Sequence, residues 1–252
     1  MKNRTLSTIR KMKENLHIFY APEAATAGIG GTIYLNDEES AHCCRVLRLT
    51  EGNEIAVADG VGGIYSAILT VCTKNNCAAK LKEQFTDIPI RGYYNHIAIA
   101  PTKNTDRIEW FVEKAVEFGV DLITPLLCAH SERKVLKTER LEKIALSAFK
   151  QSGNAVLPKI APLTPIADVI KSANEDIKMI AHCEQGEKVF FTKIASPGSR
   201  TITLIGPEGD FSDEEIALAL GAGFKPVSLG ITRLRTETAG VAVASFLAAI
   251  NN

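Results

Sequence analysis

The chain has 252 residues, with 29 Lys+Arg against 29 Asp+Glu, 46% hydrophobic and 23% charged residues. That composition excludes wholesale disorder and any coating of polyanions through net charge, while local basic patches remain possible. The length suits one large domain or two small ones, and no apolar run reaches the roughly 18 residues of a membrane span.

Residues 1–13 are polar and basic, lack an apolar core, and read as an N-terminal extension rather than a secretory signal. Residues 14–90 read as β-rich. Short apolar runs occur at His17–Tyr20, Thr32–Leu35 and Val71–Cys72. Ile55, Val57 and Ala58 lead into Asp59-Gly60, with Ile64, Ala67 and Ile68 beyond, which is a hairpin signal. Ser40–Leu47 is the best helical candidate in this small barrel or sandwich.

The rhythm changes after a punctuated stretch at Phe85–Tyr94, so residues 91–252 form the second domain. Ile97–Ala100 reads as a strand. Asp106, with Glu109 three residues on, reads as the cap of a helix. Ile108, Phe111, Val112, Ala115 and Val116 form one face of that helix, and Gly119 suits its stop. Leu122–Leu127 is the next strand, and Leu141, Ile144, Ala145, Ala148 and Phe149 mark a second helix. Thr164-Pro165 reads as a cap followed by proline at the first helical position. Ile177–Cys183, Thr201–Ile205 and Pro226–Leu229 read as strands. Ser212 to Glu215 is a capping box, and an Ala-rich helix runs from about Thr238 to Ile250. Alternating strands and helices imply a mostly parallel sheet covered on both faces.

Six cysteines stand at 43, 44, 72, 77, 128 and 183, with no CxxC pair and no zinc-finger spacing. His42-Cys43-Cys44 is the only local cluster. Adjacent residues on a strand point to opposite faces and chelate poorly, so reduced thiols and no metal are expected.

In open α/β sheets, ligands bind beyond the carboxyl ends of strands. Two loops there are unusually rich. Gly206-Pro207-Glu208-Gly209-Asp210-Phe211 follows one strand, and Gly230 to Gly240 follows another with Arg233, Arg235, Glu237 and three threonines. Their glycines admit close backbone approach to a ligand, although capping by Thr236 or Thr238 explains part of the second loop. A phosphate-loop motif, a dinucleotide fingerprint between strand and helix, and a serine nucleophile elbow are all missing from the sequence.

Ile205–Phe211 and Leu229–Ala239 resemble the signature loops of the ribosomal small-subunit RNA uridine-N3 methyltransferases, members of the SPOUT superfamily. The similarity covers nearly the whole chain. His42-Cys43-Cys44-Arg45-Val46-Leu47-Arg48 with Gly52 resembles the family's motif in a PUA-like barrel. Lys103, Glu113–Val120, Gln151-Ser152-Gly153 and Pro158 resemble segments of its catalytic domain. The resemblance implies a PUA-like RNA-binding β-barrel at 14–90 and a SPOUT α/β domain with a trefoil knot at 91–252. It further implies S-adenosyl-L-methionine as cofactor, 16S rRNA in the small ribosomal subunit as partner, a homodimer, and a cytoplasmic location without membrane or metal.

On that resemblance, Leu204, Ile205, Gly206, Pro207, Glu208, Gly209, Leu229, Gly230, Leu234, Thr236, Thr238 and Ala239 are expected around the cofactor. Backbone at Gly206, Gly209 and Leu229–Gly230 would take its polar edges, with Leu204, Ile205 and Leu234 as apolar walls. Thr236 and Thr238 would reach its carboxylate or a base edge. Arg235 would stabilise charge developing on uracil, and Glu237 would orient Arg235 or act as base. Arg45, Arg48, Lys103 and Arg233 would contact RNA; Arg45 and Arg48 share a face if their segment is helical. The chain departs from the family at Asp210, often glycine, at Ile231-Thr232-Arg233, at Asn154 and at Cys43. A reading from another class is an inactive RNA-binding or ribosome-assembly protein.

Overall fold

The computed structural model describes residues 16–85, 91–184 and 186–251, so the N-terminal extension and half of the expected linker lie outside the described residues. The chain divides into two compact units, one of Met1–Ile90 with Phe149–Leu157, the other of Arg91–Ala148 with Pro158–Asn252.

The first unit runs β1 (Ile18–Tyr20), α1 (Ala24–Ala27), β2 (Thr32–Leu35), α2 (Asp37–Ala41), a π-helical turn (His42–Val46), β3 (Glu54–Ala58), β4 (Ile64–Thr73) and β5 (Asn76–Gln84). The five strands form a sheet in the order β1-β3-β4-β5-β2. β1 pairs with β3 in parallel, and the other pairs are antiparallel. Among the described residues β1 and β2 do not pair, so the sheet is a half-barrel. The expected hairpin joins β3 to β4, with Ala58 opposite Ile64. Asp59 closes its turn by accepting from the N–H groups of Val61 and Gly63 at 2.8 and 2.9 Å. Inward residues Phe19, Ile33, Ile55, Val57, Ala67, Leu69, Ala79 and Leu81 form the core. Phe149–Leu157 joins this unit through the hairpin: Leu157 N–H donates to Gly60, and Gly62 N–H to Ala155.

The second unit runs β6 (Tyr94–Ile99), α3 (Thr105–Glu117), β7 (Leu122–Leu127), α4 (Thr138–Ser152), β8 (Lys159–Ile160), β9 (Thr164–Pro165), α5 (Ile166–Ser172), β10 (Ile177–Ala181), β11 (Val189–Phe190), β12 (Arg200–Ile205), α6 (Asp213–Gly221), β13 (Lys225–Ser228) and α7 (Thr236–Asn251). The sheet order is β11-β13-β10-β12-β6-β7-β8, with β9 on β7. Every pairing is parallel. Successive strand residues face opposite sides. Ala98, Ile180, Ile202 and Leu204 pack with Ile166, Val169 and Ile170 of α5 and Ile216 and Ala219 of α6. On the other face Gly240 of α7 sits so close to Phe111 and Ile99 that an added Cβ would lie 2.5 Å from the Phe111 ring. The Ala-rich helix therefore buries its small-residue face on its own sheet and on α3.

Several local readings shift. Asn104, not Asp106, caps α3: its side chain accepts from the Asp106 N–H. Thr164-Pro165 is a two-residue strand, and the helix begins at Ile166. The Ser212–Glu215 capping box is formed as read. Ser40–Leu47 splits into the end of α2 and the π-helical turn, and Arg48 lies beyond it at φ 54°, so helical spacing does not carry from Arg45 to Arg48. Strand β5 has no counterpart among the strands expected from the sequence. No helix of the described residues is long and apolar enough to cross a membrane.

Candidate active site

The carboxyl ends of β10, β12 and β13 open into a cavity of about 830 Å³. Its walls come from three stretches: Ala181–Cys183 at the end of β10, Ile205–Glu208 with Asp210 at the end of β12, and Val227–Thr236 at the end of β13, with Ala239, Arg107 and Lys188 completing it. The volume falls within the range of small-ligand sites.

The two glycine-bearing loops are tied together. The buried Thr236 hydroxyl donates to the Gly206 carbonyl at 3.1 Å, which fixes the start of α7 against the end of β12. That bond commits Thr236 to backbone, so the expectation that its hydroxyl reaches a ligand carboxylate is replaced by a bracing role. Arg233 Nη2 donates to the Glu208 carbonyl at 3.4 Å, a second tie between the same loops. Gly230 stands at φ 150°, open only to glycine without strain, and an added Cβ there would meet nothing within 4 Å. Backbone and open space thus adjoin at the rim.

Asp210 has φ 64°, the left-handed region that favours glycine. Its carboxylate compensates locally, accepting from Cys183 N–H at 2.6 Å and Phe211 N–H at 2.9 Å. The departure from the family's glycine is therefore accommodated, and it links the loop after β10 to the loop after β12. His130 supports the same turn from outside, its Nδ1 lying 3.1 Å from the carbonyls of Gly209 and Asp210.

Of the expected residues, Ile205, Gly206, Pro207, Glu208, Leu229, Gly230, Arg233, Leu234, Arg235, Thr236 and Ala239 line the cavity. Leu204 does not. It neighbours Ile205 on β12 and so faces the opposite side, in the core under α5 and α6. Gly209 and Thr238 are exposed and outside the lining; an added Cβ at Gly209 would press on His130 at 3.1 Å. Glu237 is buried in the first turn of α7, and its ion-pair partner is Arg107 at 3.8 Å rather than Arg235. The Arg235 side chain is exposed and reaches the lining. Lys103 pairs with Glu132 at 3.0 Å, and its N–H donates to Glu208. Arg133 holds the same loop through the carbonyls of Thr102 and Lys103. Arg45 and Arg48 are exposed in the first unit.

His182, Cys183, Lys188 and Arg107 also line the cavity without a local signal in the sequence: the first two follow β10, which is placed by its pairing between β12 and β13, and Arg107 comes from the first turn of α3. Both ring nitrogens of His182 are shielded from solvent without a hydrogen-bond partner among the described residues. Burial, then the nearby Lys188 ammonium, holds this imidazole below the usual histidine range. As pH falls, the unfolded chain takes this proton first. The stability from neutral His182 is thus complete above the ordinary value of about 6.5 and is lost as pH falls through the lower folded value. Thermal melts across that range should show wild type losing stability on acidification and His182→Gln lacking that component; parallel profiles would remove His182 from the acid response.

Comparison with known proteins follows the same division. Residues 93–248 match the model of an RNA methyltransferase domain, and residues 35–82 match an RNA methyltransferase PUA domain. The chain is 31% identical to ribosomal RNA small subunit methyltransferase E of Rickettsia conorii, over 78% of this chain and 80% of that one. It is 32% identical to the protein of that name from Synechocystis, over 84% and 71%. Among solved structures it resembles a probable rRNA-methyltransferase from Porphyromonas gingivalis, with TM-score 0.83 and 38% identity over 94% of this chain and 98% of that one. It also resembles ribosomal RNA small subunit methyltransferase E from Neisseria gonorrhoeae bound to S-adenosyl methionine, with TM-score 0.84 and 28% identity over the same shares. The chain belongs to the RNA methyltransferase family and, within it, to the group of ribosomal RNA small subunit methyltransferase E.

Proposed function

We propose that the protein transfers a methyl group from S-adenosyl-L-methionine to N3 of a uridine in the decoding region of 16S rRNA. The observation that carries this reading is the exposed Arg235 at the lining of a cavity walled by two braced glycine-bearing loops. The cavity fits the cofactor in kind: Ile205, Leu229, Leu234 and Ala239 offer apolar surface, Gly206 and Gly230 offer backbone, and His182 offers unpartnered ring nitrogens. S-adenosyl-L-methionine supplies an electrophilic methyl group on a sulfonium.

The chain's own residues then have mainly to position and to stabilise. Loss of the uracil N3 proton spreads negative charge over O2 and O4. The Arg235 guanidinium is the group assigned to that charge. Glu237 holds Arg107 at the cavity wall and is a positioning residue, since it pairs with that cation and not with Arg235. Arg233 braces Glu208 and presents the rest of its fork outward.

The test is direct. Purified protein, radiolabelled cofactor and small subunits lacking the modification should yield labelled N3-methyluridine on nucleoside analysis. Label at another atom would overturn the position, and no label with cofactor bound would favour a binding protein instead.

Arg45 and Arg48 of the first unit, with Lys103 and Arg233 of the second, are proposed as the RNA contacts. Arg45→Ala with Arg48→Ala should weaken RNA binding and flatten its log-affinity against log-salt slope by about 0.7–0.9 per lost phosphate contact. Cofactor affinity should not change. An unaltered salt slope would move the anchor elsewhere.

A trefoil knot belongs to the same proposal. It is supported by the order β13-β10-β12 and by α7 starting against the end of β12. So do a homodimer and work in the cytoplasm, where small subunits are assembled.

A further inference from the structure

Cysteines far apart in sequence meet in the first unit. Cys43 and Cys44 sit on the π-helical turn, Cys72 near the end of β4, and Cys77 at the start of β5. Cys72 and Cys77 face each other across the hairpin. All four Sγ atoms lie within 4.8 Å of one another. We propose that Cys43, Cys44, Cys72 and Cys77 form a tetrathiolate site for a structural zinc ion.

The geometry supports four ligands rather than a pair. A tetrahedral site with Zn–S bonds of about 2.3 Å has S···S edges of about 3.8 Å. The observed separations are 3.9 Å for Cys43–Cys72, 3.5 Å for Cys44–Cys77 and 3.7 Å for Cys72–Cys77, with a shorter 2.8 Å between Cys44 and Cys72. That last contact is shorter than a tetrahedral edge as well as than a contact between free thiols, and coordination would widen it. A disulfide would join two of these sulfurs and leave the others crowded; a cation joins all four. Cys43 and Cys77 are fully buried, and Cys44 and Cys72 are half-buried, as a closed structural site requires. His42 is not a fifth candidate, because its ring lies edge-on to Phe19 at 6.5 Å between centroids.

Binding would release four protons to solvent and leave four thiolates on one divalent cation. Burial foremost pushes Cys43 and Cys44 up to about 12 and Cys72 up to about 11, and a bound cation would favour their thiolate forms. The ion would staple the turn that carries Arg45 to the β4–β5 hairpin. A half-barrel of this size has a small core, and such units gain most from a staple.

The test uses the full chain, expressed with zinc in the medium and purified without chelator. Elemental analysis should find one zinc per chain, and Co²⁺ exchange should give the visible bands of a tetrahedral tetrathiolate centre. Cys44→Ser and Cys72→Ser should each lose stoichiometric zinc, whereas Cys128→Ala should keep it. Because a variant can fail to fold, the Co²⁺ spectrum of the unaltered chain decides independently. The site is overturned if the unaltered chain takes up neither Zn²⁺ nor Co²⁺, if the serine variants keep full zinc, or if peptide mapping without reductant finds a Cys44–Cys72 disulfide.

Discussion

Arg235→Ala should lower kcat by about 10²–10³ while leaving cofactor affinity within about threefold, the pattern of losing one donor that acts on developing charge. Arg235 is exposed at the cavity lining, and no side-chain bond ties it to Glu237 or to another group among the described residues. Its removal therefore breaks no internal contact, and a change in rate reports chemistry rather than fold. Arg235→Lys should recover part of the rate, since it keeps the charge and loses the planar fork. Single-turnover rates on unmodified subunits, with cofactor affinity from calorimetry, separate the two quantities. A variant within about threefold of wild type in kcat would remove Arg235 from the mechanism.

Ala239→Phe should weaken cofactor binding by about five- to 150-fold. Ala239 lies in the first turns of α7, is 7% exposed, and lines the cavity beside Ile205. A phenyl group there either fills the cofactor's volume or is forced aside. Overpacking of that kind costs about 1–3 kcal/mol, and each 1.4 kcal/mol is tenfold in Kd. Circular dichroism and a thermal melt identify a folded variant. Unaltered calorimetric affinity in a folded variant would place the cofactor elsewhere.

Much of this architecture was legible in sequence where the signal is local. The Ser212–Glu215 box is readable because a cap is decided within four residues. The face Ile108 to Val116 is readable because burial on one helix side sets the period. Asn104 and Asp106 are both good cap types two residues apart, and sequence periodicity does not choose between them. Strand β5 was missed because Asn76–Gln84 is rich in Ala, Lys and Glu. Its inward set, Cys77, Ala79 and Leu81, was nonetheless present at period two.

The expected cofactor loops did converge, yet Leu204 was placed on the wrong side by counting along β12 without its alternation. The lining by His182, Cys183 and Lys188 depends on which strands flank β10, and that is not a local property. The meeting of Cys43, Cys44, Cys72 and Cys77 is hidden in the sequence for two reasons. Adjacent cysteines chelate poorly on a strand, but Cys43 and Cys44 lie on a π-helical turn. Cys72 was also read without the strand that returns Cys77 to it.

The strand order has a consequence for synthesis. Both neighbours of β10, β12 and β13, lie downstream of it in the chain. As the polypeptide leaves the ribosome, Ile177–Ala181 emerges with neither edge covered; β12 can cover one edge once Ile205 has been made, and the other stays open until Ser228 has been made. At about 5–20 residues per second that interval lasts roughly 2–9 s. A strand with an open edge can take wrong partners for all of that time. The first unit has all five of its strands by Gln84, so translation pauses between codons 181 and 228 should aggregate this protein far more than pauses before codon 177.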